Sequence, residues 1–371
     1  MSERPFVSSS IRRVAVLGTG LMGTSVAAAA ARTGGSTVGW DLDPATAARA
    51  ASLAGFEPAG SAHEAVRDAD LVVVCTPIPT IGEHAAAALA ANDRAVVTDV
   101  GSIMGSVSRD VAARASPGHL ARFVAGHPMG GSERSGPEHA SASVLDGIVW
   151  VLSPLPSSDR AAVATLESWV EGLGARPVRM TADRHDRLVA FVSHLPQVAS
   201  TALMSLAATE ESDEPELLLL AAGGFRDLTR LAASDPALWS AILRSNGERI
   251  AEAIDLYVER LRTLRDAVAS DRGQDVEATF ALAKEARLRL AAKPQVRSGV
   301  AVLQVEAPDR PGALAELTSI LAEGRVNIED LQIVHSPEGG KGTVHLTVAA
   351  DAAGHAAEVL VAGGLDPIRL A

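Results

Sequence analysis

The 371-residue chain is poor in sulfur and in rings: it has one cysteine, one tyrosine and six phenylalanines, and aromatic residues make up 3% of it. Its single thiol, Cys75, excludes an internal disulfide and a cysteine-based metal site, and it fits a reducing compartment. Cys75 closes the run Leu71-Val72-Val73-Val74-Cys75, which reads as a buried strand. Positive charge is also scarce, with 33 Lys and Arg against 45 Asp and Glu and a formal net charge of −12. Neutralising phosphates takes a basic face and stacking bases takes rings, so the composition speaks against a dedicated nucleic-acid binder. No uninterrupted apolar run reaches the roughly 18 residues of a membrane span. The apolar stretch behind Arg12-Arg13 holds Gly18, Gly20 and Gly23, and no small-residue cleavage site follows it, which argues against an export signal. A cytoplasmic chain with no membrane partner, no nucleic-acid partner and no metal is expected.

What the chain does have is apolar mass, 47% of its residues. At roughly 100 to 200 residues per domain, there is room for two or three cores. After a tail over 1–10, residues 11–179 alternate short apolar runs with Ala-rich helical stretches. The runs are Arg13 to Gly18, Ser36 to Asp41, Ala69 to Thr76, Arg94 to Val100, Phe123 to Ala125, Gly147 to Leu152 and Arg176 to Arg179. Continuous β-branched runs separated by helices predict parallel strands buried on both faces, a doubly wound α/β domain. Residues 180–293 change to 3.6-residue periodicity. Thr181 can cap a helix reaching Ala208, an acidic loop spans Glu210 to Glu216, and a second helix reaches about Ala233. Asp235-Pro236 supplies an N-cap and a first-turn proline for one long helix to about Ser270, and a further helix covers Val276 to Ala292. Helices of that length outrun a small domain and call for a second subunit to cover them. From 299 to 371 the order is strand, helix, strand, strand, helix, strand, the ferredoxin-like arrangement.

Three features of the first two regions carry chemistry. Gly18, Gly20 and Gly23 form a G-x-G-x-x-G directly behind the first strand, and Asp41 closes the second strand near the expected spacing of about 20 residues. This is a dinucleotide fingerprint: the loop admits the pyrophosphate, and the backbone N–H groups of Leu21 and Met22 open the helix that faces it. Asp41 would accept from the ribose hydroxyls and repel a 2′-phosphate, favouring NAD. Thr76-Pro77 and Asp99-Val100-Gly101-Ser102 end two more strands at the same crevice. His127, in Gly126-His127-Pro128-Met129-Gly130-Gly131-Ser132-Glu133, is suited to proton transfer, since an imidazole titrates near pH 6.5. In the helical region, Ser193-His194-Leu195-Pro196 sets a histidine before a mid-helix proline that should kink the helix. Asp227 and Arg230 stand three apart on one helix face, where the plain reading is a surface ion pair and the functional one a carboxylate anchor.

Taken in order, the fingerprint, Asp99-Val-Gly-Ser102, Gly126-His127-Pro128-Met129, Ser193-His194-Leu195-Pro196, and Gly223 to Arg230 followed by Ser234-Asp235-Pro236 and Trp239 resemble the prephenate/arogenate dehydrogenases of tyrosine biosynthesis. The resemblance covers about residues 11 to 293. Val305-Glu-Ala-Pro-Asp309-Arg310-Pro311-Gly312-Ala-Leu314 with Asn327-Ile328 resembles an ACT regulatory domain. Together they imply a Rossmann-like doubly wound parallel sheet, an all-α dimerisation bundle and a ferredoxin-like α+β ACT domain. They further imply NAD as cofactor, with Gly18, Gly20, Leu21, Met22, Gly23, Asp41, Thr76 and Pro77 around it. His127 would take the proton of the ring hydroxyl, and Ser102 would orient His127 and the nicotinamide edge. Arg230 would hold a substrate carboxylate and His194 would touch the substrate, while Glu133, Asp227 and Trp239 would gate or support the site. Asp309, Gly312, Asn327 and Ile328 would bind an effector, L-tyrosine, in a homodimer. Ile103-Met104 follow Ser102 where relatives often carry a lysine, and with about ten residues before the first strand no fused chorismate mutase bundle is expected. Arogenate as substrate stays open. β-Hydroxyacid dehydrogenases rely on a lysine in the helical domain, and 181–283 contains none. A protein that senses NAD and an amino acid without turnover is the reading from another class.

Overall fold

The computed structural model describes residues 11–130, 134–291, 300–308, 310–335 and 341–370. The chain forms two compact units, one of residues 1–199 with 231–255 and the other of 200–230 with 256–371. In chain order the first region contains β1 (Arg13–Leu17), α1 (Leu21–Arg32), β2 (Ser36–Trp40), α2 (Pro44–Ala54), β3 (Glu57–Pro58), α3 (Ala62–Val66), β4 (Leu71–Val74), α4 (Ile78–Ala91), β5 (Val96–Asp99), α5 (Met104–Arg114), β6 (Phe123–Pro128), β7 (Val149–Pro154), α6 (Arg160–Gly172) and β8 (Arg176–Arg179). The eight strands form one sheet in the order β3-β2-β1-β4-β5-β6-β7-β8. β4 and β5 are buried along their whole length, as runs such as Leu71-Val-Val-Val74 require when helices cover both faces. Two apolar clusters flank the sheet, one containing Val16, Val26 and Val73 and the other Leu17, Val72 and Leu89.

The sheet is mixed, which corrects the all-parallel expectation: β7 runs antiparallel to β6, with His127 opposite Val151. The described residues between these strands make short turns, over Pro137–His139 and Ala142–Leu145, not the helical crossover that a parallel return needs, and α6 then restores a parallel pairing of β7 with β8. β3 was not expected; it pairs with only two residues of β2.

The helical region contains α7 (Ala182–Val189), a π-helical turn over Ala190–His194, α8 (Leu195–Glu210), α9 (Gly223–Thr229), α10 (Pro236–Ser245), α11 (Gly247–Ala269) and α12 (Gly273–Ala291). Thr181 caps α7 through Arg184 N, and Asp235 caps α10 through Ala237 N and Leu238 N. The single long helix expected from Asp235 is two helices. Asn246 leaves helical geometry at φ −126°, ψ 26°, and its side chain turns inward to bond Asp186 and His194. By length and hydropathy, the helix over Ala182–Glu210 could cross a membrane. The charged run Asp183-Arg184-His185-Asp186-Arg187 in its first turns, with His185 and Asp186 buried in the first unit and Asp183, Arg184 and Arg187 exposed, does not fit a lipid-facing span.

The last region contains β9 (Val300–Pro308), α13 (Ala313–Glu323), β10 (Asp330–His335), β11 (Lys341–Ala349), α14 (Ala353–Ala362) and β12 (Pro367–Leu370). The sheet order β10-β11-β9-β12, all antiparallel, is the expected ferredoxin-like one. Alternate β9 residues Ala301, Leu303, Val305 and Ala307 face a core built with Leu317, Leu321 and Leu360.

The turn between β1 and α1 is fixed by close approach. Gly18 has φ +91°, and a side chain there would also meet the Cys75 carbonyl. A Cβ on Gly23 would lie 1.8 Å from Gly18 O. Gly23→Ala is expected to force the loop and helix apart at about 1–3 kcal/mol, the usual scale of overpacking. Calorimetry should show a lower Tm, and fluorescence titration weaker NAD binding; an unchanged pair would mean that the loop does not form the cradle.

Candidate active site

The cradle at the strand ends fits a dinucleotide. The first turn of α1 has no side-chain cap and no acidic residue, so its N–H groups, Leu21 and Met22 among them, remain for an anion. A Cβ on Gly20 would meet nothing within 4 Å, the open space a pyrophosphate needs. Asp41 Oδ2 accepts from Thr19 N at 2.7 Å and Thr19 Oγ1 at 3.2 Å, and Oδ1 accepts from Asp43 N at 3.1 Å. The carboxylate is thereby locked beside the glycine loop with lone pairs to spare for hydroxyl donors. Thr76 Oγ1, at the end of β4 before Pro77, is buried without a partner, as expected of a group awaiting a ligand.

Across the sheet, β6 carries His127 toward the start of α7. His127 Nδ1 and His185 Nε2 are 2.8 Å apart, His185 Nδ1 and Asp186 Oδ1 are 2.8 Å apart, and Asp186 accepts from Met104 N and Gly105 N at 2.9 and 2.8 Å. The chain of contacts assigns the protons when both rings are neutral. An ionised carboxylate only accepts, so His185 Nδ1 carries hydrogen; His185 Nε2 then accepts, and His127 Nδ1 must donate. His127 Nε2 is left as a bare lone pair. Burial, followed by the neighbouring His185 and His194, pushes the His127 pKa down to about 3 against the opposing pull of Asp186, so the ring is neutral at pH 7.

His194 is assigned in the same way. Asn246 Nδ2 donates to Asp186 O at 2.9 Å and lies 3.3 Å from His194 Nδ1, so that nitrogen accepts and Nε2 carries the hydrogen. Burial pushes the His194 pKa down to about 4, with Asp186 opposing and His185 adding to the shift. Trp239 sets its ring edge-on to His194, with centroids 5.9 Å apart. The site thus holds one imidazole acceptor and one imidazole donor.

The π turn makes this grouping possible. His185 and His194 are nine residues apart, about 180° around a regular helix, on opposite faces. One residue absorbed into the π turn brings them to about 80°. Pro196 has no N–H for Val192 O, so the expected disturbance is present, but as a π turn before the proline.

Of the expected residues, His127, His194 and Trp239 come together in the first unit, along with the cradle residues. Ser102 sits in the loop between β5 and α5, and among the described residues no hydrogen bond joins it to His127; His185 holds that ring instead. Asp227 lies on α9 and Arg230 just beyond it, both in the second unit. Glu133 and Asp309 fall outside the described residues. Gly312, at φ +90°, N-caps α13; Asn327 donates to Glu329, and Ile328 packs on the core of that unit. Sequence reasoning missed His185, Asp186 and Asn246. A histidine-aspartate pair one turn inside a capped helix was the available signal.

Comparison with known proteins follows this division. Residues 26–179 match the prephenate dehydrogenase nucleotide-binding domain, 181–282 its dimerization domain, and 301–360 the ACT domain. Prephenate dehydrogenase of Bacillus subtilis is 30% identical over 347 residues, covering 91% of this chain and 92% of its own. Cyclohexadienyl dehydrogenase of Zymomonas mobilis is 32% identical over 291 residues, covering 77% and 98%. The crystal structure of prephenate dehydrogenase from A. aeolicus with hydroxyphenyl propionate and NAD+ superposes with a TM-score of 0.71 at 28% identity, covering 76% of this chain and 99% of that one. The chain belongs to the prephenate dehydrogenase family.

Proposed function

We propose that the protein is an NAD-dependent prephenate dehydrogenase that converts prephenate to 4-hydroxyphenylpyruvate and CO₂ in tyrosine biosynthesis. The observation that carries this reading is the contact chain Asp186-His185-His127, which leaves His127 Nε2 unprotonated and fixed. Bound NAD supplies the two-electron acceptor for the hydride that leaves the ring carbinol. His127 Nε2 takes the hydroxyl proton as that hydride departs, a role worth roughly 10²- to 10⁴-fold. The imidazolium so formed donates Nδ1–H to His185, whose own N–H points at the Asp186 carboxylate. Negative charge at the end of the chain therefore grows more favourable as the proton arrives. When the ring carboxylate leaves as CO₂, its electron pair aromatises the ring and ends on the oxygen, and His127 returns the proton there. No proton is gained or lost overall.

Ser102 lines the nicotinamide side of the loop, and Arg230 holds a substrate carboxylate in bidentate fashion. The His194 Nε2–H donates to the substrate. Glu133, Asp227 and Trp239 serve as gate or supporting groups. We assign residues 11–179 to the cofactor, 180–293 to substrate and dimerisation, and 299–371 to regulation. The working form is a cytoplasmic homodimer inhibited by L-tyrosine, bound around Asp309, Gly312, Asn327 and Ile328. The likeness to the crystal structure of Synechocystis arogenate dehydrogenase, 26% identical with a TM-score of 0.66, favours testing arogenate beside prephenate.

His127→Asn is expected to lower kcat by 10²-fold or more while the NAD Kd, read by fluorescence titration, stays within about twofold. Equal losses in both would make His127 structural. Arg230→Ala should raise the prephenate KM by at least tenfold, about 1.4 kcal/mol of lost binding; an unchanged KM removes Arg230 from the substrate site. A chain ending at residue 295 should keep some NADH formation and lose its inhibition by tyrosine. Inhibition that survives the truncation would put the inhibitor in the active site.

A further inference from the structure

The carboxyl group of Asp99, at the end of β5, is fully buried and is used by nothing described above. Its Oδ1 accepts from Gly101 N at 2.8 Å and its Oδ2 faces Gly126 N at 3.4 Å. Gly101 immediately precedes Ser102 and Gly126 immediately precedes His127. Both backbones approach this close because both residues lack a side chain. A Cβ on Gly101 would stand 2.9 Å from Asp99 Oδ1, and one on Gly126 would stand 2.6 Å from Asp99 O. The pocket around Gly126 is otherwise short of partners: Thr98 Oγ1 and Trp150 Nε1, 2.8 and 2.9 Å from that Cβ position, are buried and make no hydrogen bond.

We propose that Asp99 is a positioning residue whose single carboxylate sets the loop bearing Ser102 and the strand bearing His127 in register with each other, by bonding the backbone just before each. This rests on the reading of His127 as the base. Among the described residues no cation offsets the buried Asp99 charge. The titratable neighbour that senses it is the Cys75 thiol at the end of β4, itself pushed up by burial and by Asp99 and therefore neutral. The Asp99 pKa is raised to about 7, by burial first, with the Gly101 and Gly126 N–H groups pulling the other way. Holding this carboxylate ionised is thus a standing cost to the fold, retained where it orders two catalytic segments. Protonation removes one of its two acceptors, and an asparagine in its place keeps the shape with one acceptor and no charge.

The sign of the stability effect follows. Between about pH 4 and 7 the folded chain keeps a proton that the unfolded chain has lost, so this group makes the fold less stable as pH rises through that window. The test measures Tm of the ligand-free chain from pH 4.5 to 8, NAD Kd, and kcat with prephenate, in wild type, Asp99→Asn and the control Thr98→Val. The expected result is that Asp99→Asn has a Tm advantage over wild type that grows with pH, an NAD Kd within about threefold, and a kcat lower by about 10- to 100-fold, the scale of a small misplacement. Thr98→Val should follow wild type in all three. A Tm lowered equally at every pH, or failure of Asp99→Asn to fold at pH 8, would make Asp99 a packing residue and overturn the proposal. An unchanged kcat would overturn it as well. Should wild type turn over neither prephenate nor arogenate, the assigned reaction fails, and the Tm trend still decides whether the buried charge is borne by the fold.

Discussion

The carboxylate of Asp186 is the fixed point of the first unit. One side chain accepts two backbone N–H groups at the start of α5 and holds the His185 ring, and through that ring it holds His127. A buried anion of this kind is stable only while its bonds are filled, and here a helix N-terminus supplies two of them. The same contacts weld the first turn of α7 to the sheet. The geometry of the histidine pair and the docking of α7 onto the sheet are therefore one interaction, and neither can loosen without the other.

Much of this architecture was legible in the chain. The doubly wound unit, the helical region and the ferredoxin-like unit followed from period, length and turn residues, because buried parallel strands need continuous apolar runs and helices need amphipathic ones. The direction of β7 was not legible. Its run, Val149-Trp-Val-Leu152, is as apolar as its neighbours, and direction is decided by the connection that precedes it, which carries no helical period. The break at Asn246 was hidden for a related reason. Ile242 and Ile250, both buried, keep helical spacing across it, and what stops the helix is a long-range bond to Asp186 and His194.

The site divides along the same line. Gly18, Gly20, Gly23 and Asp41 are local: a strand, a turn and a helix suffice to define them, so spacing exposes them. His127 and His194 stood out because each sits next to a breaker, glycine or proline. The partner of His127 was assigned to Ser102 and is His185, since a contact across 58 residues leaves no mark in local pattern. Asp99 was read as the last residue of a strand. Only its burial, with glycine on both approaching backbones, separates it from any other strand-end aspartate.

The π turn over Ala190–His194 has a consequence for how this helix can vary. Deleting one residue there would let α7 and α8 fuse into a regular helix, with better hydrogen bonding and less internal frustration than the native one. The same deletion would leave His185 and His194 eight residues apart, still about 80° around the helix, so the histidine cluster would keep its facing. Regularising the turn at constant length would instead return the two histidines to about 180° and break the cluster. Along this segment the extra residue and the π turn that absorbs it must therefore come or go together.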